Sequence, residues 1–203
     1  MLDFEQQHYS NNVKLIAGTD EAGRGPLCGP VVAAAVILPP SYRNDLINDS
    51  KKLTSKQREI LFKEIIKNCI AYGIGYVDSE TIDKINIYES SKLAMMKALN
   101  NMKVNPQLII TDCMPLKYKD IKVISLPHGD ALCECVAAAS IIAKVCRDHY
   151  MIQMDKIYPE YDLKNNKGYG TKKHLLALNK YGPIKGFHRF SYAPVSIKKI
   201  KLF

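Results

Sequence analysis

VKLIAGTDEAGRGPLCGPVVAAAVIL, residues 13–38, holds an apolar run, two adjacent acids, a turn nearly bare of side chains and a second apolar run. Residues 13–20 and 30–38 read as buried strands, because short apolar runs bounded by Gly and Pro favour extended chain. The link between them carries Gly23, Gly25, Pro26, Gly29 and Pro30, which marks it as a tight turn. Asp20 and Glu21 are the anomaly. A carboxylate at the end of a buried strand is costly unless a cation or a donor uses it.

Further along, Thr54 opens a helix with a capping box to Gln57, and Phe62, Ile65, Ile66 and Cys69 give that helix an inward stripe. Residues 70–77 form a third strand, and 79–102 are helical with a break near Ile85–Ile87. Residues 107–112 and 121–127 are two more short strands. A long helix is expected from about Ala131 to Ile157, with Ala138, Ile141, Ile142 and Val145 inward and Lys144, Arg147, Asp148 and Met151 on another face. The last helix begins near Thr171 and stops at Gly182-Pro183. Strands first clustered and then alternating with helices predict an α/β domain around a mixed five-stranded sheet. No linker or repeat divides the chain, so one domain is expected, with a core at 13–160 and a basic segment at 161–203.

The chain has 203 residues, 47% hydrophobic and 24% charged, which is ordinary for a globular domain with a sizeable core. No apolar run approaches the ~20 residues of a membrane span. The first residues lack a secretory pattern, so the cytoplasm is the expected compartment. Six cysteines occur without a C-x-x-C pair and read as reduced, packed thiols. The net charge of +9 is unevenly spread. Residues 1–163 carry 19 Lys/Arg against 20 Asp/Glu, whereas 164–203 carry ten Lys/Arg and no acid. Such a stretch is either a polyanion-binding face or a solubilising tail, and charge alone does not decide between them.

Three places put acids at element ends: Asp20-Glu21 after LIAGT, Asp112 after LIIT, and Asp130 in PHGDALCECVAAAS. Singly, each has an ordinary account: Asp112 can begin a turn, and Asp130 can complement a helix dipole. Jointly they point elsewhere, since strand ends of an α/β sheet meet at one edge, where ligand sites lie. Four converging carboxylates repel unless cations neutralise them, and oxygen ligands suit Mg²⁺ or Mn²⁺. Two such ions about 4 Å apart activate water and stabilise the leaving oxygen in phosphodiester cleavage. One objection stands: neighbouring residues of a regular strand face opposite ways, so Asp20 and Glu21 share a site only if the strand ends or distorts there. A P-loop is excluded, because GRGPLCGP lacks the required lysine and spacing.

GTDEAGRGPLCGPV (18–31) closely resembles the N-terminal signature of ribonuclease HII. The resemblance continues through DSKKLTSKQRE (49–59), INIYESSKLAMMKAL (85–99), ITDCMPL (110–116), HGDALCECVAAASIIAKVCRD (128–148) and NKGYGTKKH (166–174), and so covers most of the chain. The short stretch before the first strand favours this type over ribonuclease HIII, which carries an extra N-terminal domain. The resemblance implies the ribonuclease H-like fold and endonucleolytic cleavage of RNA in RNA–DNA hybrids. It also implies nicking 5′ to ribonucleotides embedded in duplex DNA, leaving a 3′-hydroxyl and a 5′-phosphate, with a role in ribonucleotide excision. By the same resemblance, Asp20, Glu21, Asp112 and Asp130 are the catalytic metal-binding carboxylates for Mn²⁺ or Mg²⁺. Gly23, Arg24 and Gly25 are the turn that approaches the ribose 2′-hydroxyl, where a Cβ would block the backbone, and Tyr169 stacks on the following sugar. Lys51 and Lys144 are implied as phosphate contacts, with a helix-surface pair to Asp148 as the competing account of Lys144. Cys113 stands where the family commonly has glycine. Cys113 and Cys133, near the site by this reading, are candidates for oxidation. A monomer is expected. Two other readings stay open: another ribonuclease H-like polynucleotidyl transferase, and a non-catalytic nucleic-acid-binding protein, which would have no need of the acids.

Overall fold

A computed structural model describes residues 4–47 and 53–196. Strands β1 (Ile16–Ala22), β2 (Val31–Ile37), β3 (Ala71–Val77), β4 (Leu108–Asp112) and β5 (Lys122–Leu126) form one sheet in the order β3-β2-β1-β4-β5. The tight link after β1 makes β2 antiparallel to it, and β3 pairs antiparallel with β2. Helix α2 (Ser79–Asn100) then crosses over, so that β4 returns parallel to β1, with β5 parallel to β4. This is the mixed five-stranded sheet expected from the sequence.

Period-two alternation splits the sheet between two helical layers. Ile16, Ala34, Val36 and Ile110 pack with α1 (Ser55–Asn68) and α4 (Glu134–Ile157), while Ala17, Ala33, Ala35 and Ile109 pack with α2. Gly18 lets α4 lie directly on β1, since a Cβ there would stand 2.2 Å from the carbonyl carbon of Cys135. Thr54 and Gln57 form the expected reciprocal cap of α1. Leu61 and Ile65 are its buried residues; Phe62, Ile66 and Cys69 are only partly covered, so the stripe is rotated from the expected one. The break in α2 falls at Asn86 (φ 65°), whose Oδ1 accepts the N–H groups of Tyr88 and Glu89 and so restarts the helix.

The long helix expected from Ala131 is corrected. A separate turn, α3 (Gly129–Leu132), is followed by extended Cys133 (φ −137°), and α4 begins at Glu134. The reason is a contact across the chain. Buried Glu5 accepts the Cys133 thiol at 2.6 Å and the Cys135 N–H at 3.2 Å, holding the first turn of α4 apart from α3. Arg147, Asp148 and Met151 are also buried, not spread along an open face.

What covers them is the C-terminal segment. After a short turn at Pro159–Tyr161 come α5 (Leu163–Asn166) and α6 (Lys172–Tyr181), then irregular chain. Tyr161, Leu163, Leu178, Phe187 and Val195 form a third apolar cluster with Leu27 and Cys28 of the turn after β1 and with Met151 of α4. Inside this cluster sit two buried histidines. The Ile184 N–H donates to His188 Nδ1 at 2.9 Å, so His188 carries its proton on Nε2 and donates it to His174 Nε2 at 3.1 Å. His174 Nδ1–H in turn donates to the Tyr169 carbonyl at 3.0 Å. Cys28 lies close to both rings, but this tautomer leaves no lone pair on His188 Nε2 for a metal.

Burial lowers the pKa of both histidines, that of His188 to about 3 with help from its neighbour His174. The unfolded chain protonates these rings near the ordinary 6.5, ahead of the folded protein, so their stability contribution is present above that pH and lost as pH falls toward 3. Urea unfolding of wild type and His188→Gln across pH 7 to 4 checks this. The variant should lose part of the acid slope, up to about 1.4 kcal/mol per pH unit for one proton. Parallel slopes would refute it.

Candidate active site

The site begins where two strands end at different places. The β1–β4 ladder stops at Thr19↔Thr111, whereas the β1–β2 ladder runs on to Ala22↔Val32. Asp20 and Glu21 therefore lie on paired strand with one flank open. This answers the pleat objection differently from expected: β1 neither ends nor distorts at Glu21, but its neighbour on one side stops. Both side chains line a single cleft of about 440 Å³, together with Asp112, Arg58, Ser140, Lys144, Arg147 and Tyr169.

Asp112 closes β4, and its Oδ1 accepts the Gly129 N–H at 2.8 Å. Cys113 then turns the chain away in the left-handed region (φ 49°), which explains why glycine suits that position. Asp130 is 7% exposed on α3, one residue beyond the Gly129 that contacts Asp112. The cleft thus gathers Asp20, Glu21 and Asp112, while Asp130 sits on the adjoining turn and does not line it.

In the partly desolvated cleft, Asp20 and Glu21 resist ionisation. Burial raises the Asp20 pKa well above its ordinary value, with Glu21 and Asp112 adding to the rise. Hydrogen bonds from Ser140 and from the Glu21 N–H (2.7 Å) oppose it. Burial raises Glu21 as well; Arg24, 3.3 Å away, offsets part of this and Asp112 adds to it. Glu21 Oε2 is buried with no hydrogen-bond partner among the described residues. An all-oxygen donor set with an orphaned carboxylate oxygen fits a hard divalent cation. Lys144 stands at the wall, its Nζ 2.7 Å from Asp148, with its pKa lowered by desolvation.

Across the cleft, the glycines divide their work. Gly23 has φ +101°, and a Cβ there would meet Arg147 Nε at 2.1 Å, so its bareness serves backbone shape and packing against Arg147. Gly23 also lines the cleft, so a packing cause stands there beside the expected substrate approach. At Gly25 a Cβ would meet only the ring of Tyr169, at 3.6 Å, so its open side faces a residue that lines the cleft. Tyr169 is 48% exposed. Lys51 lies outside the described residues. Ser140 and Arg58 line the cleft although sequence reasoning passed over them. Ser140 ends the run VAAAS and reads as one more small packing residue, and Arg58 sits among surface residues of α1. Cys113 is exposed beside Asp112, but Cys133 is fully buried with its pKa raised by desolvation, which removes it as an oxidation target.

The family profile described as Ribonuclease HII matches residues 17–195. A protein of Listeria monocytogenes serovar 1/2a carrying that name is 50% identical over 200 residues, covering 98% of this chain and 76% of its own. A namesake from Acholeplasma laidlawii is 50% identical over 195 residues, covering 96% and 95%. Among solved structures, the ribonuclease H2 of Pyrococcus horikoshii OT3 superimposes with a TM-score of 0.79 at 28% identity, over 92% of this chain and 98% of that one.

The carboxylate cluster yields a prediction of opposite sign for stability and activity. The folded pKa of Asp20 is raised, so the metal-free protein loses stability as pH rises above the unfolded value near 4. In EDTA at pH 7, Asp20→Asn should therefore melt above wild type, while its nuclease activity in metal falls at least 100-fold. Added Mg²⁺ or Mn²⁺ should raise the wild-type unfolding free energy, by about 2.7 kcal/mol at 100 times Kd, and the variant's by much less. Equal metal stabilisation in both would refute the assignment.

Proposed function

The chain belongs to the ribonuclease HII family, endonucleases that hydrolyse RNA in RNA–DNA hybrids with a divalent metal, and on that premise we propose how its residues divide the work. Asp20, Glu21 and Asp112 hold the metal, with Asp130 completing the set from the turn beside Asp112. The observation that carries this reading is the convergence of three carboxylates on one cleft with Glu21 Oε2 left unpartnered. When bound, Mg²⁺ or Mn²⁺ supplies the positive charge that activates water and stabilises the leaving oxygen. Ser140 donates to Asp20 and fixes the carboxylate's orientation. Lys144, held by Asp148, offers its ammonium to a phosphate entering the cleft.

The substrate lies between the Gly23-Arg24-Gly25 turn and Tyr169. Backbone at Gly25 reaches the ribose 2′-hydroxyl, the Tyr169 ring stacks on the next sugar, and Arg24 exchanges Glu21 for phosphate. This arrangement supports nicking 5′ to a ribonucleotide embedded in duplex DNA, leaving a 3′-hydroxyl and a 5′-phosphate. It reads one sugar and needs no run of RNA. One domain acting as a monomer does this, with the segment from residue 161 as part of the binding face. The cytoplasm is the proposed compartment, supported by six cysteines without a disulfide.

Duplex DNA with a single ribonucleotide, incubated with Mg²⁺ or Mn²⁺ and then with EDTA, tests the assignment. A metal-dependent nick 5′ to the ribonucleotide is expected, and its absence overturns the nicking reading. The basic segment makes a separate prediction. Of its cations, Lys173 already contacts Asp162 at 3.1 Å and Arg189 is buried, while Lys172 is exposed. Neutralising Lys172 and Lys173 should weaken duplex binding and reduce its salt slope, by about 0.9 for each phosphate no longer neutralised. An unchanged slope would exclude these lysines as phosphate contacts.

A further inference from the structure

Arg189 is a guanidinium with no exposed surface, and no carboxylate lies within 4.0 Å of it among the described residues. Burying a charge in this way is costly unless its donors are fully engaged. They are engaged by carbonyl oxygens of one turn. Nη1 donates to the Arg24 carbonyl at 2.9 Å, and Nη2 donates to those of Gly23 (2.7 Å) and Gly29 (2.8 Å). Nε donates to Gly29 as well, at 3.1 Å. Tyr192 lies against the guanidinium, 5.1 Å from its ring centre, and its hydroxyl adds a second bond to the Arg24 carbonyl at 2.7 Å.

Two consecutive peptide units, Gly23–Arg24 and Arg24–Gly25, therefore turn their oxygens inward. Both are trans, and in a trans peptide the N–H points opposite to the C=O. The N–H groups of Arg24 and Gly25 must then point outward, at exposed residues, and neither donates to another described residue. A cation bonded to the carbonyl end of each peptide also polarises its N–H end, making it a better donor. Gly25 stands beside the ring of Tyr169, which lines the cleft.

We propose that Arg189 and Tyr192 are positioning residues for sugar recognition: by holding two carbonyls inward they aim the Arg24 and Gly25 N–H groups at a ribose 2′-hydroxyl. The proposal rests on the reading of this turn given above, and it assigns the two side chains to ribose selectivity. Neither touches the substrate. Loss of the clamp frees the peptides to rotate, so the donors are no longer set in place before binding.

Fluorescence anisotropy with Ca²⁺ in place of the catalytic ion, on one duplex with a single ribonucleotide and the same duplex in all-DNA form, measures the selectivity. Steady-state cleavage with Mg²⁺ gives KM and kcat. Tyr192→Phe removes a single hydroxyl and should lower the ribo-to-deoxy affinity ratio about three- to tenfold. It should leave all-DNA binding and the melting point near wild type, and raise KM more than it lowers kcat. Arg189→Lys keeps the charge but not the fork and should lower the ratio further. An unchanged ratio in Tyr192→Phe, or equal losses on both duplexes, overturns the proposal, since equal losses are what a purely structural role produces. If Arg189→Lys does not fold, Tyr192→Phe still decides the question. A wild type that binds both duplexes equally removes the underlying reading of the turn instead, a distinguishable result.

Discussion

The turn leaving β1 is fastened through its carbonyl oxygens to two buried guanidinium groups, and the two walls of the substrate gap depend on that fastening. Arg147, from α4, donates to Pro30, Cys28 and Lys167 carbonyls at 2.9–3.2 Å. Arg189, from the C-terminal segment, takes Gly23, Arg24 and Gly29. Desolvation lowers the pKa of both, that of Arg147 to about 10 with Arg189 adding to the fall. Two like charges buried together persist only because backbone dipoles compensate them. The result is a turn that cannot drift, since moving it would strip both cations of their partners. Lys167, two residues before Tyr169, is bonded into the same arrangement, so the two walls of the substrate gap are set by one network.

Beside these cations lie the anions. Burial and neighbouring charge raise the proton affinity of Asp20 and Glu21, Asp112 adding to both, and Arg24 offsets only part of this at Glu21. Arg24 contacts Glu21 from an exposed position, and such a contact in water contributes about 1 kcal/mol at most. The molecule thus accepts strain at the end of β1 in exchange for a cation site that binding alone can relax. A scaffold with buried cations on one side and crowded carboxylates on the other suits a polyanion substrate that arrives with metal.

Much of this was legible because it is local. The strands follow from apolar runs and the α1 cap from Thr54 and Gln57, and the break expected near Ile85–Ile87 falls at Asn86. The four acids stood out because each ends or opens an element. What was not legible depends on residues far apart in sequence. The start of α4 is displaced by Glu5, 130 residues from Cys135. Ser140 matters only because α4 lies on the bare backbone of Gly18. Arg189 reads in the sequence as one more basic residue of a basic tail. Its setting in GFHRF, between Phe187 and Phe190, is the one local sign that it is buried.

The burial of Arg189 bears on how the basic segment works. A cation in a tail contributes to phosphate binding in proportion to its exposure, and salt screens it. A cation buried behind a peptide acts through the hydrogen bond it donates, at short range and largely unscreened. In the proposed division of work, the segment from Tyr161 to Val195 therefore supplies two distinct things. Exposed residues such as Lys172 add sequence-independent attraction, whereas Arg189 and Tyr192 determine how the Gly23-Arg24-Gly25 turn presents its N–H groups. The first gives affinity for any duplex, and the second can distinguish one sugar from another. Placing both on a single segment, packed through Leu27 and Cys28 against the turn it shapes, ties the general attraction to the specific test.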